Sequence, residues 1–480
     1  MKKRLVVMKF GGTSVGDASC ISRTAQICAA ASRDGAVVTV VSAMSGVTNR
    51  LIEAAKKSEA GRQEEALAVI EGLRQQHETA LAALIPQEDK RKALLARTGE
   101  ILAEAQRLCK GTALLRELTP RTLDLISSLG ERLSAPMVAA TLDQMGVASE
   151  AVEATELIVT DSYHGGAEPV MELTQEVCEA RLRPLLERGI VPVVTGFIGA
   201  SREGVLTTLG RGGSDYSATI LGAALGADEV IIWTDVDGVL TADPRLVPDA
   251  RTIPEISYRE AAELAYFGAK VLHPKTLRAV MPAGIPVWIR NSFAPERKGT
   301  KIAAKGRATT AGVKALTAIS DVSLIAVGGP GIVGLPDVVG RTFSTTSEVR
   351  ASVLLISQSS SQNDICFIVA SDDAIRTAAA LRQEFAQDLT HQKVEHITLD
   401  PNIAIVAVVG ENMRGTVGMA GRTFSVLGRE SVNIIAIAQG SSEANISFVV
   451  EQRDMKKALL ALHREFGLEA ANANGKANGN

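Results

Sequence analysis

Short apolar runs recur along the first half of the chain, bounded by glycine or proline. The first covers residues 4–10 and ends in Gly11-Gly12; others cover 36–43, 190–198, 229–234 and 285–290. Runs of this length between turn residues read as buried strands of a parallel sheet. Helical spacing fills the intervals, for example at 17–32, 119–145 and 214–225. Residues 51–110 are rich in Ala, Leu, Glu, Lys and Arg and read as a helical insertion. Strands alternating with helices predict an α/β layered domain with a mostly parallel sheet.

The second half repeats itself. Gly-Arg-Thr-Phe-Ser stands at 340–344 and again at 421–425, and Gln-Ser-Ser-Ser at 358–361 is answered by Gln-Gly-Ser-Ser at 439–442. Phe367 pairs with Phe448, and Glu384-Phe385 with Glu465-Phe466, always at an offset of 81 residues. One offset held over such a span marks a duplicated unit. Each copy reads strand, helix, strand, strand, helix, most of a ferredoxin-like β-α-β-β-α-β unit. Residues 394–399 supply a closing strand for the first copy, whereas no comparable strand follows Phe466. Counting back 81 residues from 394–399 lands on 313–318, which is predicted to close the second copy and interlock the two. Gly329-Pro330-Gly331-Ile-Val-Gly334 imitates a dinucleotide motif. The repeat replaces Gly331 by Asn412, and Pro330 has no N–H to donate, so these glycines read as turns.

Composition narrows the functions. The 480 residues suggest about three domains, with 46% apolar and 22% charged residues as in ordinary globular proteins. The charge sum, 51 − 54 = −3, offers no broad attraction for phosphate backbones, and 3% aromatics leave little for base stacking. Nucleic acid is therefore not an expected partner. Lys9 and the glycine pair interrupt the first apolar run too early for a signal peptide, and no uncharged stretch reaches the roughly 20 residues of a membrane span. Five cysteines without a C-x-x-C pair read as reduced thiols of a cytoplasmic protein. Residues 471–480 are small and polar and read as a disordered tail.

Several segments carry chemistry. Lys9-Phe-Gly-Gly-Thr-Ser14 brings a lysine to a glycine turn expected to open a helix, a cradle for phosphate or else a plain strand–helix turn with a snorkelling lysine. Gly11 and Gly12 have no Cβ to keep a phosphate from their N–H groups. In Thr207–Asp215 three glycines surround Arg211, and Ser214 is placed to cap the next helix. A guanidinium there suits a carboxylate or phosphate, the alternative being a solvated arginine. Asp235 and Asp237 end a strand and could serve a magnesium-nucleotide, or form an ordinary Asp-Gly turn. Lys270 is a second phosphate cation or a surface lysine, and His273 reads as structural. Glu131 stands beside a glycine within a helical stretch and could meet a ligand ammonium, or lie on a solvated face.

Together these segments resemble the aspartokinases. The likeness rests on KFGGTSV (9–15), SAMSGVTN (42–49), GERLS (130–134), TTLGRGGSDYSA (207–218), WTDVDGV (233–239), DPR (243–245) and FGAKVLHP (267–274), in the family's order. It implies an amino-acid kinase fold, an α/β/α sandwich, over 1–312, then ACT domains at 313–393 and 394–470, with the strand at 313–319 exchanged between them. It also implies ATP with Mg²⁺ and L-aspartate as substrates, and 4-phospho-L-aspartate as product, a first step towards lysine, threonine and methionine. By carry-over Lys9, Gly11 and Gly12 hold nucleotide phosphates. Thr48, Glu131, Arg211, Ser214 and Asp215 hold aspartate. Thr234, Asp235, Leu240, Arg245 and Lys270 contact ATP, and Lys9, Lys270 and Asp215 serve catalysis. The family usually has tyrosine where this chain has Leu240.

The second half most resembles the regulatory part of threonine-sensitive aspartokinase–homoserine dehydrogenases, read here without their dehydrogenase half. Gln358 and Gln439 are the implied effector contacts, for threonine by preference or lysine. A homodimer or larger assembly through the ACT domains is implied as well. The rival readings are a catalytically inactive ACT-type sensor, or another kinase of the superfamily acting on glutamate, acetylglutamate or UMP.

Overall fold

The computed structural model describes residues 3–268, 272–307, 312–329, 336–358, 364–411, 413, 415–438 and 444–469. In chain order these begin with β1 (Leu5–Phe10), α1 (Ala18–Asp34), β2 (Ala36–Val41), α2 (Val47–Glu59), α3 (Gln63–Leu84) and α4 (Glu88–Leu115). There follow α5 (Pro120–Ser127), α6 (Leu129–Gln144), β3 (Ser149–Val152), β4 (Val159–Thr160), α7 (Met171–Glu187), β5 (Val191–Thr195), β6 (Ile198–Ser201) and β7 (Leu206–Thr208). Next come α8 (Gly213–Leu225), β8 (Glu229–Thr234), β9 (Glu255–Ser257), α9 (Tyr258–Tyr266), α10 (Pro274–Arg278), β10 (Val287–Asn291) and β11 (Thr300–Ala303). The remainder holds β12 (Ala315–Gly328), α11 (Pro336–Glu348), β13 (Val353–Gln358), β14 (Asp364–Ala370), α12 (Ser371–Glu384) and α13 (Ala386–Thr390). It closes with β15 (His396–Val409), α14 (Met419–Arg429), β16 (Ala436–Ala438), β17 (Asn445–Glu451) and α15 (Met455–Glu465). They fall into two compact units, 3–239 with 252–258 and 272–306, and 240–251 with 259–268 and the described residues from 307 onward.

The first unit is built on an eight-stranded sheet in the order β3-β5-β2-β1-β8-β10-β11-β9. Its pairings are parallel except β10 with β11. β1 is central and every one of its residues is buried, as an apolar run covered on both faces requires. Lys9 lies opposite Val40 of β2 and Ile232 of β8, one residue short of the strand's end. The 51–110 insertion is α-helical, and Leu51, Ile70, Leu73, Leu81 and Leu102 bury themselves in the same core as β1.

Two expected elements divide. The run at 190–198 gives β5 in the large sheet and β6 in a small sheet β4-β6-β7. The chain turns between them at Phe197, whose φ is +71° and whose N–H donates to Ser217 Oγ at 2.9 Å. The helix expected at 119–145 breaks at Ser128 into α5 and α6. Thr119 caps α5 by accepting from Thr122 N–H, and Pro120 takes the first turn, where its missing N–H costs nothing.

The second unit carries a six-stranded antiparallel sheet, β13-β14-β12-β15-β17-β16. β12 and β15 belong to both copies of the repeat. Leu324–Gly328 pairs with His396–Asp400, and Ala315–Ile319 pairs with Ile405–Val409, with a register break after Ile319. The copies are interlocked, because each takes its last strand from chain that precedes or follows it. Each packs its own apolar core under its helices, around Phe367 in one and Phe448 in the other. Among the described residues no helix is long and apolar enough to cross a membrane.

Candidate active site

β1 delivers Lys9 into the first unit, where only 8% of the residue is exposed. Its Nζ lies 2.6 Å from Asp215 Oδ1, in the first turn of α8. Gly11 makes room for this pair, because a Cβ there would stand 3.2 Å from Lys9 Nζ. The glycine turn differs from the cradle expected at Gly11 and Gly12. The Gly11 N–H donates to Trp233 O at 3.2 Å, so it continues the sheet and is not offered to a phosphate. Gly12 opens a single 3-10 turn, Gly12–Val15, and α1 starts later, where Asp17 accepts from Cys20 N–H at 2.9 Å. The positive charge at this turn therefore comes from the lysine and not from a helix N-terminus.

Glu131 stands in the first turn of α6 and is 3% exposed. Its Oε2 has no hydrogen-bond partner. Burial pushes its carboxyl up to about 8, against the opposing pull of the backbone N–H groups of Ala43 and Glu131 and of the Lys9 charge. The alternative of a solvated helix face is excluded by that burial. Gly130 lets α6 come this close: a Cβ there would stand 2.6 Å from Ala43 Cβ and 3.6 Å from Thr48 Oγ1. The glycine thus admits protein and not a ligand. Thr48 itself is half-buried at the start of α2.

The glycine loop before α8 presents Arg211 to solvent. Gly210 and Gly212 both have φ in the left-handed region, +77° and +72°. Gly212 takes the N-cap position, and a Cβ there would stand 2.6 Å from His273 Cβ. Ser214 is therefore not the cap that its type suggested. It lies inside the first turn, buried against Gly196, whose added Cβ would stand 2.7 Å from Ser214 Cβ. His273 caps α10, its Nδ1 accepting from Lys275 N–H at 3.3 Å.

At the end of β8, Thr234 Oγ1 donates to Asp235 Oδ1 at 3.2 Å, and Asp235 is exposed. Asp237 is engaged by Asn291 Nδ2 at 2.7 Å and by Arg297. Leu240 and Arg245 fall in the second unit. Arg245 is exposed there and grips Asp243, its Nη2 2.5 Å from Oδ2. Gln358 ends β13 and is exposed. Lys270 and Gln439 lie outside the described residues. The structure thus gathers Lys9, Asp215, Glu131 and Thr48 around one buried centre. Sequence reasoning missed two contributors, the Ala43 amide on Glu131 and the buried Asp124 beneath the Arg211 loop. Neither carries a spacing signal. Among the described residues no group of three or more His, Cys, Asp or Glu is placed to hold a metal ion.

A parallel sheet with a buried lysine at the end of its central strand defines a class. Residues 4–291 match the amino acid kinase family, and residues 325–385 and 406–466 each match an ACT domain. The chain is 35% identical to the bifunctional aspartokinase/homoserine dehydrogenase of Haemophilus influenzae over 95% of its length and 56% of that protein's. It is 34% identical to the chloroplastic aspartokinase 1 of Arabidopsis thaliana, covering 96% of this chain and 80% of that one. Escherichia coli aspartokinase III, solved in complex with aspartate and ADP, is 30% identical and superposes with a TM-score of 0.80 over 96% of this chain and 99% of that chain. The chain belongs to the aspartokinase family. It spans about half the length of the bifunctional relatives that it matches.

Proposed function

We propose that the protein transfers the γ-phosphoryl group of ATP to the side-chain carboxylate of L-aspartate, giving 4-phospho-L-aspartate and ADP. The observation that carries this reading is Glu131, a fully buried carboxyl group with an oxygen left without a partner, set beside the Lys9–Asp215 pair. A desolvated acceptor of that kind calls for a ligand cation, and the α-ammonium of an amino acid supplies one. E. coli aspartokinase III, which binds aspartate and ADP, supports the choice.

The nucleophile needs no base, because a carboxylate with ordinary pKa about 3.9 is already ionised at pH 7. The obstacle is bringing it to an anionic triphosphate, so positioning and charge neutralisation dominate. Lys9 neutralises the transferring phosphoryl group, and Asp215 orients the ammonium of Lys9. Arg211 takes the α-carboxylate, Thr48 and Ser214 line the amino acid, and Lys270, Thr234 and Arg245 serve the nucleotide. Leu240 gives the adenosine an apolar wall without the hydroxyl of the family's usual tyrosine. Mg²⁺ would be held chiefly by the phosphate oxygens of the nucleotide, with one or two protein carboxylates. Asp235, exposed at the end of β8, is the carboxylate offered to it. When bound, the ion neutralises the leaving diphosphate.

The ACT pair, over 313–393 and 394–470 with the 313–319 strand exchanged, binds an inhibitory amino acid near Gln358 and Gln439 and joins subunits. Threonine is favoured as the effector, by the repeated glutamines and the threonine-sensitive enzymes that they resemble. Lysine is the alternative, since the E. coli enzyme binds lysine and aspartate. The test is to incubate the protein with ATP, Mg²⁺ and L-aspartate and trap the acyl phosphate with hydroxylamine. Aspartyl hydroxamate that threonine suppresses is the expected result. Suppression by lysine alone would replace the effector, and no hydroxamate from folded protein would overturn the reaction.

A further inference from the structure

The Arg211 loop rests on a buried node that the proposed chemistry does not use. Asp124, in the middle of α5, is 3% exposed. Its carboxylate accepts from Thr208 Oγ1 at 2.5 Å, Thr208 N–H at 3.3 Å, His164 Nδ1 at 2.8 Å and Gly165 N–H at 3.1 Å. These donors come from β7 and from the 163–166 turn. The two segments also bond each other, Ala167 N–H donating to Thr208 O at 2.9 Å. Gly210 passes so close to the turn that a Cβ on it would stand 3.0 Å from Gly165 O. Thr208 precedes Arg211 by three residues, and Asp124 precedes Glu131 by seven.

From this geometry we propose that Asp124 is a positioning residue for the amino-acid substrate. It ties the helix pair carrying Glu131 to the loop carrying Arg211, and so sets the separation of the two groups that grip the ammonium and the carboxylate of one small zwitterion. An acceptor-only carboxylate suits the task, because all the groups converging on it are donors. The substitution Asp124→Asn would replace one of the two acceptor oxygens by an N–H₂ group, which the backbone N–H groups of Thr208 and Gly165 cannot answer, and would remove the charge that strengthens all of these bonds. The role rests on the assignment of aspartate to this centre. A misplacement of about 1 Å at a pair of orienting groups is enough to cost about 10²-fold in turnover efficiency.

The test compares Asp124→Asn and Thr208→Val with the unaltered protein in two readouts. In steady-state kinetics the KM for aspartate should rise at least tenfold in Asp124→Asn, with the KM for ATP within twofold. Thr208→Val, which removes only the 2.5 Å hydroxyl bond, should shift the same constant by a smaller factor. In hydrogen exchange, the peptides covering 161–167 and 207–213 should exchange at least tenfold faster in Asp124→Asn, with those of the central strands unchanged. Equal rises in both KM values, or unaltered exchange in the loop, would overturn the positioning role. Faster loop exchange in a protein whose unaltered form makes no hydroxamate would keep the anchor and refute the substrate. If Asp124→Asn does not fold, Thr208→Val carries both readouts alone.

Discussion

The Lys9 centre and the paired arginines of the duplicated unit use the same side-chain types to opposite ends. Arg341 lies 4.5 Å over the Phe385 ring, bonds Glu384 Oε1 at 2.7 Å and Glu384 O at 3.0 Å, and reaches Asp388 at 2.9 Å. Its repeat, Arg422, lies 4.9 Å over Phe466 and bonds Glu465 Oε1 at 3.2 Å and Glu465 O at 2.9 Å. Arg341 engages protein acceptors through Nε, Nη1 and Nη2, and Arg422 through Nε and Nη2, so both tie their helices to neighbouring chain. Glu131 is more deeply buried, yet one of its oxygens has no partner. Saturated charge stabilises a fold, whereas a carboxyl group left without a partner under burial costs stability. The repetition of Gly-Arg-Thr-Phe-Ser and Glu-Phe therefore records scaffolding. Thr342 and Thr423 likewise bond back to their own helices, at 2.7 Å and 3.0 Å.

The contrast breaks most sharply at Lys9. Lys9→Ala should lower kcat at least about 10²-fold, the scale of removing one charge-stabilising donor, when measured at a temperature where the variant is folded. Its melting temperature should fall as well, because Asp215 loses the partner 2.6 Å away. Turnover within tenfold would return Lys9 to the role of a strand-end lysine. Glu131→Gln comes next. Losing a charge-assisted contact worth about 1.5–3 kcal/mol should raise the KM for aspartate about 10- to 100-fold, measured at saturating ATP.

The staples give the smaller effects, and on stability instead of turnover. Arg341→Ala and Arg422→Ala should each destabilise by about 1 kcal/mol in chemical denaturation. Arg341 should cost the more, because it also holds Asp388. Neither should change kcat at a temperature where the variant is folded. A tenfold loss of kcat in either would erase the distinction between scaffold and site.

A pH series sharpens the same comparison. The Glu131 carboxyl is raised from an ordinary 4.5 to about 8 in the unliganded fold, so the fold favours its protonated form. Stability present below pH 4.5 is then lost progressively as pH climbs through about 8. Glutamine cannot ionise, so the melting temperature of Glu131→Gln should overtake that of the unaltered protein by a margin that widens from pH 5 to pH 8. A margin independent of pH would mean that Glu131 titrates as an ordinary surface acid.

Much of this was legible in the residues, and the rest was not for identifiable reasons. Glycine turns, apolar runs and the 81-residue offset are local or periodic, and they located β1, β8, α8 and the interlocked sheet. The Lys9–Asp215 pair was visible because glycine density around a charge is a local signal, whereas Arg211, singled out by the same signal, is exposed. The cap of α8 was misassigned because Gly212 takes the left-handed position that a serine would strain to occupy, while Ser214 packs on Gly196. The Gly11 amide was misassigned because its acceptor, Trp233 O, lies on a strand more than two hundred residues away. Asp124 stayed hidden for the same reason, since its partners come from 40 and 84 residues further along. The groups that act on the Glu131 carboxyl include the Ala43 amide and the Lys9 charge, which no window around residue 131 contains.

The most direct measurement is calorimetric titration of L-aspartate into the unaltered protein and into Glu131→Gln at pH 8, in buffers of different ionisation enthalpy. The unaltered protein should bind and release a fraction of a proton, because the incoming ammonium pulls the buried carboxyl towards its ionised form. The variant should bind at least tenfold more weakly with no proton released. Equal affinity in both, with no buffer dependence, would contradict the claim that Glu131 is held unpaired for the substrate's ammonium.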